Sequence, residues 1–172
     1  MIELEKTYLA KKLPKGLAKC DSKQIVDIYL PANRIHPVLR LRQNGAKYEL
    51  TKKTPVANND ASRQREQTIV LDGAEFQQLN QLTGKRVSKI RYFYKSGKFT
   101  AEIDVFQEDL KGLVLVDFEF SSSAEKEAFV PPDFCLADVT AETFVAGGMI
   151  CGKKYSDLAV ALNKFGYKKL FL

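Results

Sequence analysis

The sequence predicts a mainly β protein of the α+β class, with antiparallel strands forming a barrel or a sandwich and a few short peripheral helices. Two observations support this fold class: about eight segments alternate polar and apolar residues, and Asn44-Gly45 and Ser96-Gly97 are suited to tight hairpin turns. The 172 residues are 45% hydrophobic, which is enough for one core of ordinary size, so we expect a single domain over residues 1–172. The predicted strands are Ile2 to Ala10, Gln24 to Leu30, Val38 to Gln43, Lys47 to Thr54, Glu66 to Leu71, Val87 to Lys95, Lys98 to Gln107 and Leu113 to Ser121.

Helix signals are short and lie between or after these strands. The polar segment 57–65 is typical of a surface loop and could form the lip of a site. The last helix candidate begins near Ser156 and ends near Gly166, with an apolar stripe along one side. The other candidates are a helix from about Ala74 to Leu82 capped by Asp72, a brief one capped by Ser122 or Ser123, and one capped by Thr140 that stops at Gly147-Gly148.

The charge balance favours an anionic partner but not a nucleic acid. There are 27 Lys and Arg against 21 Asp and Glu, a net charge of +6, and the two signs are mixed along the chain, which argues against a DNA-binding face or a polybasic membrane patch. No apolar window is long enough to span a membrane and no signal peptide is evident, so we expect a cytoplasmic protein. Three widely spaced cysteines and one histidine, His36, argue against a disulfide framework and a zinc site.

Charged residues recur in pairs two positions apart, a spacing that puts both side chains on one face of a strand. An ordinary solvent-facing sheet would show the same alternation. However, several pairs carry one sign, which is repulsive between neighbours, and this favours a curled sheet whose charged face lines a lumen. Clustered carboxylates without His or Cys suit Mg²⁺ or Mn²⁺, and the basic groups suit a substrate with several phosphates. The pairs are Glu3 and Glu5, Arg40 and Arg42, Lys89 and Arg91, Glu102 and Asp104, and Asp117 and Glu119.

The order of these motifs resembles the CYTH superfamily, the triphosphate tunnel metalloenzymes, over roughly residues 1 to 160. Glu3-Leu4-Glu5-Lys6-Thr7 is similar to the ExExK signature of that superfamily, and Asp138-Val139-Thr140 is similar to its DVT segment. The resemblance implies an eight-stranded antiparallel closed tunnel that holds a triphosphate through Lys and Arg, while acids in the lumen bind one or two divalent metals. It also raises the option that a helix in the last 20 or so residues closes one mouth of the tunnel.

The resulting hypothesis is a Mg²⁺- or Mn²⁺-dependent hydrolase of inorganic triphosphate or of a triphosphorylated organic substrate, in a chain for which a homodimer is one option. Two alternatives stay open: a class IV adenylate cyclase, and a module that binds polyphosphate or a nucleotide without turnover. The second is motivated by Thr7, which replaces the motif lysine. We expect Arg40, Arg42, Lys53, Lys89 and Arg91 to bind phosphates, Glu3, Glu5, Glu102, Asp104, Asp117 and Glu119 to bind metal, and Glu3 and Glu5 to be catalytic.

Overall fold

A computed structural model describes residues 2–56 and 63–172, and the side chains of residues 2, 3 and 63 lie outside this description. The described chain is mainly β, with one antiparallel sheet and short helices, which confirms the predicted class. The strands are β1 (Ile2–Ala10), β2 (Ser22–Leu30), β3 (Leu39–Asn44), β4 (Lys47–Pro55), β5 (Arg63–Leu71), β6 (Lys85–Ser96), β7 (Phe99–Phe106), β8 (Val114–Glu119) and β9 (Cys135–Asp138). The helices are α1 (Gly73–Leu79), α2 (Ser123–Glu127), α3 (Gly147–Ile150) and α4 (Tyr155–Lys164).

The strand order in the sheet is β5-β4-β3-β2-β6-β7-β8-β1-β9. Strand β5 also pairs with β1, where Ile2 lies opposite Arg65 and Glu3 opposite Gln64. Hairpins join neighbouring strands, as the turn residues predict: Gly45 and Gly97 both have positive φ between the paired strands β3–β4 and β6–β7. All eight predicted strands are present, with ends that differ by a few residues.

Three local features differ from the prediction. Strand β9 was not predicted, because it is only four residues long and is held by pairing with β1 rather than by a pattern of its own. Residues 63–65, predicted as loop, belong to β5, where they pair with β1 and β4. The rest of that predicted loop, residues 57–62, lies outside the described residues.

The third difference concerns Gly147 and Gly148, which begin α3 instead of ending a helix. A Cβ on Gly147 would lie 2.0 Å from the Tyr29 hydroxyl oxygen, and one on Gly148 would lie 2.2 Å from the carbonyl oxygen of Pro37. The glycines are therefore needed because α3 packs closely against the end of β2 and the loop before β3. Local sequence carries no sign of these long-range contacts.

Apolar side chains cover the outer face of the sheet and one end of it. Phe129 and Phe134 pack against the outer residues of β1, β7 and β8, and Phe76 of α1 packs against β2 and β3. Helix α1 begins where predicted, because Asp72 and Glu75 form a capping box. The Asp72 carboxylate accepts from the Glu75 N–H, and the Glu75 carboxylate accepts from the Asp72 N–H. At the strand ends, Leu9, Tyr29, Val87, Phe106 and Leu115 form a third cluster with residues of α3 and α4, including Ile150, Leu158 and Leu162.

Among the described residues, none of the helices has both the length and the apolar character needed to cross a membrane.

Candidate active site

The inner face of the sheet lines a cavity of about 550 Å³. All the predicted site residues with described side chains line it: Glu5, Arg40, Arg42, Lys53, Lys89, Arg91, Glu102, Asp104, Asp117 and Glu119. The remaining one, Glu3, lies on β1 opposite Gln64, and its side chain is outside the description. A larger concavity of about 720 Å³ lies over Leu39, Leu50 and Ile69 and has Lys52 as its basic group. Because that concavity lacks the paired charges, the site is assigned to the inner face.

The two arginines of β3 meet a buried aspartate that the sequence analysis did not single out. Asp27 of β2 is 2% exposed and accepts two hydrogen bonds from Arg42, of 2.7 Å from Nε and 2.8 Å from Nη2. The Nε of Arg40 lies 4.0 Å from the same carboxylate, and this buried nitrogen has no hydrogen-bond partner among the described residues. Burial alone would raise the pKa of Asp27, but Arg42 and Arg40 outweigh it and lower that pKa. Asp27 therefore holds Arg42 in a fixed geometry and leaves Arg40 with an unused donor.

A second buried network joins β6 to β7. Asp104 is 1% exposed, and Arg91 donates to both of its oxygens over 2.7 Å, from Nε and from Nη2. Lys89 also donates to Asp104, and Arg91 donates to Glu102. Burial would raise the pKa of Asp104, but Arg91 and Lys89 lower it well below its usual range. Burial lowers the pKa of Lys89, and the charge of Asp104 opposes that effect.

Lys53 of β4 connects strands that lie on either side of β5. Its Nζ lies 3.7 Å from Glu5 of β1 and 3.4 Å from Glu66 of β5. Thr68 donates to Glu66 over 2.7 Å, which fixes that carboxylate further. Glu66 also lines the cavity.

Carboxylates face one another across β7, β8 and β1. Glu5 lies directly opposite Glu119, and Glu102 directly opposite Asp117. Burial raises the pKa of Glu102, and nearby carboxylates raise it further against the effect of Arg91. Like charges in direct cross-strand register destabilise a sheet unless a cation lies between them.

The charge balance of the wall points to cations. Among the described lining residues, nine are acidic and five are basic, an excess of four acids. A polyanion would be repelled from such a wall unless additional cations entered with it. The oxygen-only donor set fits Mg²⁺ or Mn²⁺. Within the part of the chain that the structure describes, no three acids, cysteines or histidines are already gathered at ligand spacing.

Several lining residues escaped the sequence analysis. Asp27 could have been found as the lone acid within the apolar run Ile25 to Leu30, whereas Glu49 gave no signal because it is not part of a same-sign pair. Glu142 lines the cavity together with Thr140 of the DVT-like segment, because residues 139–150 fold over the strand ends. His36 is exposed and also lines the cavity.

Comparison with known proteins agrees with this geometry, although no protein-family model matches the chain. The chain is 34% identical over 168 residues to an inorganic triphosphatase of Nitrosomonas europaea, which covers 95% of this chain and 99% of that protein. A solved structure of an inorganic triphosphatase superposes with a TM-score of 0.63 at 28% identity, covering 88% of this chain and 95% of that one. A Bacillus halodurans protein described as a candidate adenylate cyclase shares the fold, with a TM-score of 0.54 at 15% identity over 99% of this chain and 92% of that one.

The antiparallel sheet and the acidic and basic side chains on its inner face are those of an enzyme that acts on phosphates. The chain belongs to the family of the inorganic triphosphatase, within the CYTH superfamily of triphosphate tunnel metalloenzymes.

Proposed function

We propose that this protein is a divalent-metal-dependent hydrolase that cleaves inorganic triphosphate into diphosphate and orthophosphate. The observation that carries the proposal is that the five predicted cations and five of the predicted acids line one cavity. The similarity to an inorganic triphosphatase over almost the whole of both chains supports the same reaction.

We further propose that strands β1 to β8 close into a tunnel. The pairing of β5 with β1, in addition to the strand order, supports this closure. In such a ring, β3 and β4 would lie across the lumen from β7 and β8, so the basic groups of β3 and β4 would face the carboxylates. The apolar cluster that includes Val87, Phe106 and Ile150 lines one end of the cavity. Helix α4 contributes Leu158 and Leu162 to that cluster, which supports a closing role for the C-terminal segment.

The basic groups would bind the phosphates. Arg42 and Arg91 are already held by carboxylates, so they offer oriented N–H groups with little further loss of conformational freedom. The Nε of Arg40, which has no partner within the part of the chain that the structure describes, is the donor that a phosphate oxygen would satisfy. Together with Lys53 and Lys89, these groups would stabilise the negative charge that develops on the leaving diphosphate.

The acids would hold the metal. We propose Glu5, Glu102, Asp117 and Glu119 as ligands, because like charges are in register at these positions of β1, β7 and β8. We also propose Glu3, which lies two residues before Glu5 on β1. Both oxygens of Asp104 are engaged by Arg91 and Lys89, so we propose that Asp104 acts as their counterion. When bound, Mg²⁺ or Mn²⁺ would neutralise phosphoryl oxygens and lower the pKa of a coordinated water.

In the reaction, a water oxygen forms a bond to the terminal phosphorus while the bond from that phosphorus to the bridging oxygen breaks. Diphosphate leaves with the bridging oxygen, and the proton that the water loses is released to solvent. Glu5, a catalytic candidate, lies beside the Lys53 ammonium, which would hold its carboxylate in place at the acidic wall.

A small-molecule partner, a cytoplasmic location and a homodimer remain predictions.

A product-resolved assay tests the proposal. Purified protein is incubated with tripolyphosphate, ATP or thiamine triphosphate, each with Mg²⁺, with Mn²⁺ and with excess chelator. We expect orthophosphate and diphosphate from tripolyphosphate with metal and no product with chelator. Cyclic AMP from ATP would indicate the cyclase instead, and tight binding of tripolyphosphate without product would indicate a binding module.

Two variants separate the site from the rest of the protein. Glu5→Gln should lower kcat for tripolyphosphate by about 10²-fold or more, the scale seen when one preorganised charged group is removed. Glu127→Gln, an exposed glutamate at the end of α2, is the matched control and should keep wild-type turnover. Equal turnover in the two variants would contradict the assignment of the site.

A further inference from the structure

Thr7 holds one of the proposed metal ligands by a neutral hydrogen bond. Its side chain lines the cavity two residues beyond Glu5, and its hydroxyl donates to Asp117 Oδ1 over 2.7 Å. The other oxygen of Asp117 lies 3.4 Å from Arg91 Nη2, which is a much weaker contact. Asp117 is therefore fixed mainly by a group that carries no charge.

The backbone of Thr7 is itself fixed from the C-terminal segment. Its N–H donates to Thr140 Oγ1 over 3.0 Å, and its carbonyl accepts from the Val139 N–H over 2.8 Å. The Thr140 hydroxyl in turn donates to Asp138 Oδ1 over 2.5 Å. Because β1 is held at this point on both backbone groups, the Thr7 hydroxyl has little freedom to move away from Asp117.

We propose that Thr7 is a positioning residue that orients Asp117 to bind the divalent metal and leaves its negative charge intact. This inference rests on the proposed metal site. A hydroxyl orients a carboxylate as an outer-shell partner does, whereas a cation at this position would also neutralise it. With Glu102 directly opposite, the charge retained on Asp117 adds to the attraction for a divalent ion.

The test is a titration of the purified protein with Mn²⁺ in the absence of any phosphate, followed by electron paramagnetic resonance of free Mn²⁺. Thr7→Val removes the hydroxyl and keeps the shape, and we expect its Kd for Mn²⁺ to rise about tenfold. Thr7→Ser keeps the hydroxyl and its hydrogen bond to Asp117, so its Kd for Mn²⁺ should lie within about threefold of wild type. Thr100→Val, near the β6–β7 turn and outside the cavity lining, should bind as wild type does.

Thr7→Lys tests the role of charge. An ammonium beside Asp117 should weaken Mn²⁺ binding at least as much as Thr7→Val does, because it cancels the charge of the ligand. Mn²⁺ binding to Thr7→Val within twofold of wild type would overturn the proposal, as would wild-type affinity in Thr7→Lys. If the melting temperature shows that Thr7→Val is unfolded, Thr7→Ala is measured by the same criteria. Absence of Mn²⁺ binding in the wild-type protein would instead refute the underlying metal site.

Discussion

Asp104→Asn tests whether this aspartate is a counterion or a metal ligand. The change keeps the size of the side chain and removes the charge that Arg91 and Lys89 share. Removing one partner of a buried ion pair leaves the other charge uncompensated and costs about 3–5 kcal/mol. Because Glu102 and Asp117 still face Arg91, we expect the lower end, about 3 kcal/mol.

For a chain of this length, about 3 kcal/mol corresponds to a fall of about 6–12 °C in the melting temperature. The measurement is urea unfolding at pH 7 together with a thermal scan. Asp21→Asn, at an exposed position before β2, is the matched control and should change the free energy of unfolding by no more than about 0.5 kcal/mol.

The pH dependence gives a second readout. Because the pKa of Asp104 is lowered in the folded state, its contribution to stability is present above the unfolded pKa of about 3.9 and is lost as the pH falls below that value. The range from about pH 6 to 8 lies above the unfolded pKa, so the difference in the free energy of unfolding between wild type and Asp104→Asn should be constant there. The difference should shrink as the pH falls below the unfolded pKa.

Kinetics complete the test of Asp104. If it is a counterion, Asp104→Asn should raise KM for tripolyphosphate, because Arg91 and Lys89 lose their geometry, while the Mn²⁺ concentration for half-maximal activity changes by less than about threefold. The counterion role would be refuted if Asp104→Asn lost less than about 1 kcal/mol of stability. It would also be refuted if the variant lost Mn²⁺ affinity alone, with stability and KM for tripolyphosphate unchanged.

Three further predictions address the cavity wall and its support. Arg40→Gln should raise KM for tripolyphosphate about tenfold or more and change stability little, because a charge-assisted hydrogen bond contributes about 1.5–3 kcal/mol. An unchanged KM in steady-state kinetics would contradict a phosphate-binding role. Gly148→Ala should destabilise the fold by about 1–3 kcal/mol, because its Cβ would lie 2.2 Å from the Pro37 carbonyl oxygen. The control Gly73→Ala places its Cβ in open space and should not destabilise the fold. Equal urea midpoints for the two variants would show that the segment 139–150 is not packed closely. Tyr167→Phe should cost about 1–3 kcal/mol in urea unfolding, because the buried Tyr167 hydroxyl accepts from the Val114 N–H and donates to the Gly112 carbonyl, both over 2.8 Å; an unchanged midpoint would mean that water replaces it.

The strands and most of the charged wall could be predicted because both depend on alternation within one segment. Arg40 and Arg42, for example, point to the same side whatever the rest of the chain does. The partners of these residues could not be predicted, since they come from other strands. The pairing of Asp27 with Arg42 depends on the β2–β3 register, and the contact of Gly148 with Pro37 depends on where the C-terminal segment folds.

Partners from other strands also distinguish two kinds of acid that look alike in the sequence. Glu102 and Asp104 form one same-sign pair on β7, yet Asp104 is 1% exposed and saturated by two cations, while Glu102 faces Asp117 and keeps a raised pKa. A carboxylate whose pKa is raised by burial and by neighbouring acids gains most from a divalent ion, because the ion offsets both the lost hydration and the repulsion. A saturated carboxylate gains nothing, and would have to release Arg91 in order to bind one. Metal affinity in this cavity should therefore depend on the proposed ligands Glu3, Glu5, Glu102, Asp117 and Glu119, and phosphate affinity on Asp104 and Asp27 through the cations that they hold.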